Sequence, residues 1–485
     1  MEDLVDRPVA DLAPLIRSGQ VSPVELTRAV LGRIETLEPI LRAYITVLPE
    51  QALADAAVAE AAIRLGNDLG PFHGIPIGVK DLLMTQGIRT TGGSAALCDF
   101  VPDNDATVVA RLRRAGAIVV GKHNLHEFAF GVTNANPTYG VTRNPWRLDA
   151  IPGGSSGSSA VAVATGMCLA AIGTDTGGSI RIPASCCGVV GLKPTYGRVS
   201  RYGAIAFSWS LDHLGPIAKT VTDAALMLGI IAGHDPLDMT TRRRPAPDYT
   251  AGIDNGIEGL RLGIPRNYFF EHIHHEVNDV VARAVQVLVE QGAVLVEVNL
   301  PNLDLSHVIE QTIVFSEAAS YHETWLRERG ARYAPDVRAL LEAGQAITAP
   351  NYLKAQRLRT LIKQSFRAAM EQVDIIATPT LPSPPVPIGQ ETVVLDGRPE
   401  PLIDCLIRYA SPLNLSGQPA VSVPCGFTHD GLPIGLQLVG RPFAEAMLCR
   451  TARVYEAATE WHRRRPPVTV ATGSEAVRTE GLAPP

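Results

Sequence analysis

The chain has 485 residues, of which 46% are hydrophobic and 19% are charged. This composition is typical of a globular protein rather than a disordered one, and the length allows a large core or two to three domains. The net charge of -6 excludes a broad electrostatic affinity for nucleic acid or anionic membranes.

The cysteines and the absence of apolar spans indicate a cytoplasmic protein. Seven cysteines, an odd number without a Cys-x-x-Cys pair, favour reduced thiols over a disulfide framework or a zinc site. Residues 1–17 lack the pattern of a signal peptide. The longest weakly polar run, residues 160–172, is interrupted by Thr165 and Gly166 and is too short to span a bilayer.

Two helices are predicted near the N-terminus. Ser22 to Glu25 form a capping box with Pro23 at the first helical position. An apolar stripe follows at three- and four-residue spacing, formed by Leu26, Val30, Ile34, Leu37 and Leu41. An Ala-rich helix covers about residues 50–65. We expect residues 1–70 to form a helical segment packed on the core.

Short apolar runs bounded by Gly and Pro alternate with helical patterns along the rest of the chain. This alternation predicts an α/β sheet covered by helices on both faces. The predicted strands are residues 75–79, 118–120, 169–173, 260–264, 294–298, 375–377, 420–423 and 436–439. The predicted helices between them include residues 106–115, 278–291 and 353–372. Residues 466–485 are rich in Pro, Gly, Ser and Thr, which predicts a flexible C-terminal tail.

The most informative stretch runs from Pro152 to Ser200 and contains two Gly/Ser-rich loops, residues 153–159 and 176–179. Small residues are needed where a backbone approaches a ligand or takes a positive φ. One helix–strand unit between the loops can bring Ser155 and Ser179 together. A single loop of this kind would favour an ordinary tight turn, but two in tandem favour a functional site.

Two other interpretations of these loops fit less well. A phosphate cradle requires a Gly-Lys-Ser/Thr ending or a G-x-G-x-x-G after a strand, and neither is present. Residues 153–157 match the G-x-S-x-G nucleophile elbow, but a turn-rich loop precedes them instead of a strand. The adjacent Asp212 and His213 are also poorly placed to serve as successive members of a catalytic triad.

Histidine clusters at residues 123–127 and 272–276 raise the question of a metal site. Neither has the H-E-x-x-H order, and no third ligand is evident. We therefore expect no metal.

The chain resembles the amidase signature family. The run PGGSSG…GTDTGGSIRIPA…GLKPTYGRVS is similar to the family's signature, and Gly78-Val79-Lys80-Asp81 is similar to its lysine motif. The resemblance extends from about Val21 to Arg441. It implies one large catalytic domain, residues 71–465, with a central mixed β-sheet covered by helices on both faces and a signature core at about residues 75–216.

The resemblance also implies a Ser–Ser–Lys triad and no cofactor. Ser179 would form the acyl-enzyme, Ser155 would follow a cis Gly154–Ser155 bond and relay protons, and Lys80 would be the base. The apolar residues before Lys80 suggest burial, which lowers the pKa of a lysine. Asp81 would oppose that shift if it pointed inward, so we expect it to face elsewhere.

Further residues complete the expected site. The backbone N–H groups of Thr176, Gly177, Gly178 and Ser179 are the expected oxyanion hole, and these residues would contact substrate. We expect Asp175 and Arg181 to form a charged pair that holds this loop. By resemblance, Ala129 would contact substrate through its backbone.

The family includes standalone amidases and the glutamine-hydrolysing A subunit of glutamyl-tRNA amidotransferase. Glutamine needs charged partners for its α-carboxylate and α-ammonium. The sequence shows no clear match for them, although Arg338 or Asp404 could serve with a small shift in alignment. We therefore expect a standalone amidase with a largely apolar pocket, acting on a small aryl or alkyl amide, anilide or carbamate. It would need no nucleic acid or membrane. A homodimer is compatible with the sequence.

Two alternatives remain: the amidotransferase component and a catalytically silent binding protein. Glutaminase activity in a stable complex would identify the first, and labelling by a fluorophosphonate probe would exclude the second.

Overall fold

A computed structural model describes residues 2–468 of the chain. Residues 469–485, which make up most of the expected C-terminal tail, lie outside the described residues.

Within this range the chain forms fifteen α-helices. They are α1 (Glu2–Asp6), α2 (Val9–Arg17), α3 (Pro23–Leu41), α4 (Pro49–Arg64), α5 (Thr107–Arg114), α6 (Gly157–Ala164), α7 (Arg181–Cys187), α8 (Val221–Ile231), α9 (His275–Glu290), α10 (Ser306–Arg329), α11 (Pro335–Gln345), α12 (Ala349–Gln372), α13 (Leu402–Arg408), α14 (Ser411–Ser416) and α15 (Glu445–Ala457). No helix in residues 2–468 combines the length and hydropathy needed to cross a membrane.

The same residues form fifteen strands. They are β1 (Tyr44–Val47), β2 (Pro76–Lys80), β3 (Ile118–His123), β4 (Ala135–Asn136), β5 (Gly140–Val141), β6 (Ala170–Asp175), β7 (Val190–Lys193), β8 (His213–Ala218), β9 (Arg261–Pro265), β10 (Val294–Val298), β11 (Ile375–Pro379), β12 (Thr392–Leu395), β13 (Arg398–Pro401), β14 (Ala420–Phe427) and β15 (Pro433–Gly440).

Eleven of these strands make one mixed sheet in the order β1-β3-β2-β6-β8-β7-β14-β15-β11-β9-β10. The pairs β12/β13 and β4/β5 form two small hairpins. Parallel pairing holds β3, β2 and β6 together at one end and β11, β9 and β10 at the other. The predicted α/β fold with a central mixed sheet and flanking helices is confirmed.

The N-terminal segment contributes to the sheet as well as to the helices. Ser22 caps α3 as predicted, because its hydroxyl accepts the backbone N–H groups of Val24 and Glu25 at 3.1 and 3.2 Å. The apolar face of α3 packs in one buried cluster with α6. Strand β1 then pairs with β3 at the sheet edge. The expected helical segment therefore also includes an edge strand.

The neighbouring strands β2 and β6 determine where polar residues gather. They run parallel, with Ile77 opposite Ala170 and Val79 opposite Ile172. Parallel strands end at the same edge of a sheet, so Lys80 at the end of β2 lies beside Thr174 and Asp175 at the end of β6. The two Gly/Ser-rich loops border this edge, since one precedes α6 and the other follows β6.

Candidate active site

The two Gly/Ser-rich loops lie side by side, as their sequence predicts. The Ser156 N–H donates to the carbonyl oxygen of Ser179 at 3.2 Å. The Gly154–Ser155 peptide bond is cis, as the family resemblance implies. The two loops thus meet at the end of β2, although residues 155, 156 and 179 are far from Lys80 in the sequence.

Lys80 is fully buried and is surrounded by hydroxyl groups. Its Nζ lies 2.8 Å from each of three hydroxyl oxygens, those of Ser155, Ser156 and Thr174. The Ser156 hydroxyl donates its only proton to the carbonyl of Thr174 at 3.1 Å, so it accepts from Lys80. A neutral amine has two N–H groups and one lone pair. Donation to Ser156 and Thr174 therefore leaves the lone pair for the Ser155 hydroxyl proton.

The surroundings of Lys80 favour its neutral form. Burial lowers the pKa of Lys80 well below its ordinary value, although the negative charges of Asp175 and Asp212 oppose this shift. Asp81, the next residue, points away to the buried Lys122, with 3.0 Å between Oδ1 and Nζ. Asp81 therefore faces away from Lys80, as expected, while its side chain stays buried.

Ser179 is 6% exposed, so its side chain is nearly enclosed. In the part of the chain that the structure describes, the Ser179 hydroxyl makes no hydrogen bond to Ser155. The Ser155 hydroxyl is instead engaged by Lys80. Of the two contacts expected within the Ser–Ser–Lys triad, the described residues thus form the one between Lys80 and Ser155.

The loop that carries Ser179 is fixed by a buried ion pair. Arg181 donates to Asp175 through Nε at 3.0 Å and through Nη2 at 2.9 Å, and neither side chain is exposed. Burial alone would raise the pKa of Asp175, but the Arg181 guanidinium holds it well below its ordinary value. The charged pair expected from the sequence therefore lies at the base of this turn.

Not all four expected oxyanion donors are free. The Gly178 N–H donates to Asp175 Oδ1 at 3.0 Å, and Gly178 takes a φ of 125°, which favours glycine. Within residues 2–468 the N–H groups of Thr176, Gly177 and Ser179 donate to no acceptor. Three N–H groups of this turn are therefore free to donate to a developing oxyanion.

A second loop, residues 207–212, supports the first. The Thr176 hydroxyl donates to Asp212 at 2.6 Å, and Asp212 also accepts the backbone N–H groups of Phe207 and Ser208 at 3.0 and 2.9 Å. Asp212 and His213 are therefore not successive triad members. Asp212 holds the loop of residues 176–179, and burial lowers the pKa of His213 well below its usual value.

Two acids on α10 reach this region, and neither was predicted from the sequence. The Oε1 atom of Glu310 lies 2.8 Å from the position that a Cβ atom on Gly177 would occupy. Glu317 accepts the hydroxyl of Ser208 at 2.5 Å and that of Tyr352 at 2.8 Å. Both acids belong to the buried face of α10. A charge inside an apolar stripe is the signal that could have identified them.

A buried arginine on α12 was missed for the same reason. Arg359 is 7% exposed and lies in the buried stripe of its helix. It donates to the carbonyl of Leu415 at 2.7 Å and to that of Ser210 at 3.0 Å. No carboxylate of the described residues lies within 4.0 Å of its guanidinium, so its charge is not neutralised by an ion pair.

The two residues considered from the sequence for binding charges are placed differently. Arg338 is exposed on α11 and pairs with Glu342 at 2.7 Å. Asp404 on α13 is partly exposed and lies 3.5 Å from His307. Arg338 is therefore turned to the surface, whereas Asp404 lies close enough to raise the pKa of Glu310.

Ala129 lies in a backbone segment of unusual conformation. Phe128 and Ala129 have φ values of 48° and 63°, which non-glycine residues rarely adopt. This segment leads to residues 132–134, whose backbone is so close to Gly154 that a Cβ there would lie 2.8 Å from the carbonyl carbon of Val132. Ala129 thus belongs to a segment that borders the Ser155 loop.

A cavity of about 560 Å³ opens beside the 207–212 loop. It is lined by Ala206, Trp209, Ser316, Glu317, Ser320, Tyr321, Ile347, Ala349 and Tyr352. A larger cavity of about 810 Å³ between α9, β14 and α15 contains none of the residues described above. No group of His, Cys, Asp or Glu in residues 2–468 is arranged to hold a metal ion.

Known proteins resemble the chain over nearly its full length. It is 46% identical over 479 residues to the A subunit of the glutamyl-tRNA(Gln) amidotransferase from Chloroflexus aggregans, covering 93% of this chain and 96% of that one. The solved structure of the protein of the same name from Thermotoga maritima is 38% identical, with a TM-score of 0.76 over 90% of this chain and 91% of that one. A vestigial protein complex that reveals the origins of an s-triazine catabolic enzyme gives 33% identity and a TM-score of 0.89, over 93% and 98% of the chains.

These relatives contradict two expectations. The relatives from Chloroflexus and Thermotoga are named as components of a tRNA amidotransferase, so the expectation of a standalone amidase for a small carboxamide is wrong. The expectation that the only partner is a small-molecule amide, without any nucleic acid, is wrong for the same reason. The physical reason for the error is that the sequence pattern does not reveal buried charges: Glu310 lies beside Gly177, Glu317 lines the cavity of about 560 Å³, and Arg359 donates to the backbone of Ser210.

The geometry and the relatives agree on the type of enzyme. Cleavage of a carbon–nitrogen bond needs free N–H donors, a serine beside them and a lysine without hydration, and the 176–179 turn and Lys80 supply these groups. The Amidase family model matches residues 25–449. The chain belongs to the Amidase family, whose members are hydrolases of carbon–nitrogen bonds.

Proposed function

We propose that this chain is the A subunit of a glutamyl-tRNA(Gln) amidotransferase and releases ammonia from glutamine through an acyl-enzyme on Ser179. The observation that carries the chemical part is the buried Lys80, with its Nζ 2.8 Å from the Ser155 hydroxyl. The 46% identity to the Chloroflexus aggregans protein carries the choice of reaction.

In acylation the Ser179 oxygen attacks the side-chain amide carbon of glutamine. Its proton passes to the Ser155 oxygen, while the Ser155 proton passes to the lone pair of Lys80. The carbonyl oxygen becomes an oxyanion and accepts the N–H groups of Thr176, Gly177 and Ser179. When the tetrahedral intermediate collapses, the carbon–nitrogen bond breaks, and the proton returns from Lys80 through Ser155 to the departing ammonia.

In deacylation the same groups act on water. Water attacks the γ-glutamyl ester carbon and gives a proton to Ser155, which again passes one to Lys80. Breakage of the ester bond returns a proton to Ser179, and glutamate leaves. The enzyme ends in the state in which it began.

Charged groups beside the site support an amino-acid substrate. A buried α-carboxylate needs a cation, and Arg359 is a buried guanidinium without an ion-pair partner in the described residues. Arg359 donates to the backbone of Ser210, in the loop that holds Thr176 through Asp212. We assign the α-carboxylate of glutamine to Arg359.

The name of the Chloroflexus aggregans relative implies that the reaction ends on glutamyl-tRNA(Gln). Ammonia formed at Ser179 would then have to reach the glutamyl-tRNA within the amidotransferase complex. The seven cysteines are all free thiols, which accords with reaction in the reducing cytoplasm.

The test is glutaminase activity of the purified chain, alone and with the other components of the complex. Ammonia release should require Ser179, and mass spectrometry of a rapidly quenched reaction should find one γ-glutamyl group on its peptide. Ser179→Ala should abolish both signals. Ser185→Ala, which changes a buried serine on the next helix, is the control and should keep them. Ammonia release by Ser179→Ala at the wild-type rate would refute the assignment.

A further inference from the structure

Glu310 differs from the other acids around the site because it has no partner. It lies on α10, is 6% exposed, and receives no hydrogen bond or ion pair from any described residue. Glu317, two turns later on the same helix, accepts hydroxyl groups from Ser208 and Tyr352. Because a buried carboxyl without a partner destabilises the fold, a purely structural role does not explain Glu310.

The position of Glu310 relates it to the reacting groups. A Cβ atom built on Gly177 would lie 2.8 Å from the Oε1 atom of Glu310. The next nearest residue to that Cβ would be Ile407, at 3.9 Å. Gly177 is one of the three residues with a free oxyanion N–H. A substrate carbonyl seated on these donors would therefore place its neighbouring atoms in front of Glu310.

No cation balances Glu310 from the elements packed against it. Asp404 on α13 faces it and is itself close to His307, while Tyr268 faces it from the loop after β9. Arg408 of α13 is engaged by Glu400 and by the carbonyl of His272. Burial first, and then the charge of Asp404, raise the pKa of Glu310 to about 8. Among the described residues, Glu310 thus has an acidic neighbour and no cation paired with it.

We propose that Glu310 is a specificity-determining residue that binds a cationic group of the substrate, namely the α-ammonium of glutamine. This inference rests on the proposed function. In extended glutamine the α-nitrogen lies roughly 5 Å from the amide carbon, by ordinary bond lengths. That span reaches from the oxyanion donors to a carboxylate beside Gly177.

The experiment compares three amides as substrates of the wild-type enzyme complex and of its variants. They are glutamine, glutaric acid monoamide, which lacks the α-ammonium, and 4-aminobutanamide, which lacks the α-carboxylate. The variants are Glu310→Gln, which keeps the shape, Glu310→Asp, which keeps the charge, and Glu323→Gln, which removes an exposed acid from the same helix and serves as the control. The measurement is kcat/KM for ammonia release.

In Glu310→Gln, the ratio of kcat/KM for glutamine to that for the monoamide should fall roughly 10- to 100-fold, as for loss of a charged hydrogen bond. Turnover of 4-aminobutanamide should fall with that of glutamine. Glu310→Asp should restore part of the ratio, and Glu323→Gln should not change it.

An unchanged ratio in Glu310→Gln would overturn the inference while leaving the proposed function intact. Wild-type enzyme that fails to hydrolyse glutamine would refute the proposed function instead. Since Glu310→Gln removes an unpaired buried acid, its thermal unfolding midpoint should not fall, and loss of folding would itself contradict the absence of a partner.

Discussion

Asp81 Oδ1 lies 3.0 Å from Lys122 Nζ, and neither side chain is exposed to solvent. The carboxylate also accepts the backbone N–H and the hydroxyl of Thr91, at 2.7 and 2.6 Å. This pair keeps the negative charge of Asp81 away from Lys80, its neighbour in the chain. The orientation of Asp81 thus permits the preceding residue, Lys80, to be a neutral amine.

Removal of Asp81 should destabilise the protein strongly. Asp81→Asn leaves the Lys122 ammonium buried without its counter-charge, and breaking a buried pair costs about 3–5 kcal/mol. The thermal unfolding midpoint should fall, and it should recover in part when Lys122→Met is added. Asp103→Asn, at an exposed acid, is the control. An unchanged midpoint in Asp81→Asn would show that the pair does not stabilise the fold.

The pH dependence of glutamine hydrolysis should report the buried amine of Lys80. The base acts only when neutral, and burial lowers the pKa of Lys80, so its neutral fraction grows at lower pH than for an exposed lysine. kcat/KM should therefore rise with pH, with an apparent pKa well below the value of about 10.4 for free lysine.

Lys80→Met should lose roughly 10²- to 10⁴-fold in rate and should remove the rising limb from the residual activity. Lys354→Met, at an exposed lysine of α12, should keep the wild-type profile. A limb that survives in Lys80→Met would assign the titration to another group.

Arg359 should control recognition of the α-carboxylate. A lysine cannot reproduce the planar guanidinium, so Arg359→Lys should raise KM for glutamine about tenfold or more. Turnover of 4-aminobutanamide, which has no carboxylate, should change less. The matched variant Arg338→Lys alters an exposed arginine and should leave KM as it is. Equal losses for both amides would indicate that Arg359 acts only through the Ser210 backbone.

Glutamine binding should release a proton at neutral pH. Burial holds the pKa of Glu310 near 8, so the free carboxyl is mostly protonated at pH 7. A bound ammonium stabilises the charged form and lowers this pKa, which expels the proton. Calorimetry of glutamine binding to Ser179→Ala, in two buffers of different ionisation enthalpy, should measure the number of protons released. Glu310→Gln in the same background should release none, and proton release that persists there would exclude Glu310 as its source.

The periodic elements of the fold could be predicted from the sequence, whereas the irregular ones could not. All eight predicted strands are present, with shifts of a few residues at their ends. Strand β8 was missed, because Pro216 stands in its middle and proline argues against a central strand. Strands β1 and β7, which have four residues each, were missed as well. The order of the strands depends on contacts between distant segments and leaves no local pattern.

The candidate site was predicted where a short motif specifies it and missed where the tertiary fold assembles it. Lys80, Ser155 and Ser179 stand in recognisable runs of sequence. Lys80 is oriented by two hydroxyl acceptors, Ser156 and Thr174. These two residues come from different segments and meet only through the pairing of β2 with β6. Glu310 was missed because a glutamate in a long helix is ordinary until its buried face is known.

The fold of α10 has one mechanical consequence. This helix carries Glu310 against the Gly177 turn and Glu317 against the loop that holds Thr176, while Val308 on its other side is 56% exposed. A displacement of α10 would therefore move both acids together, which links the Gly177 turn and the 207–212 loop to one surface of the molecule.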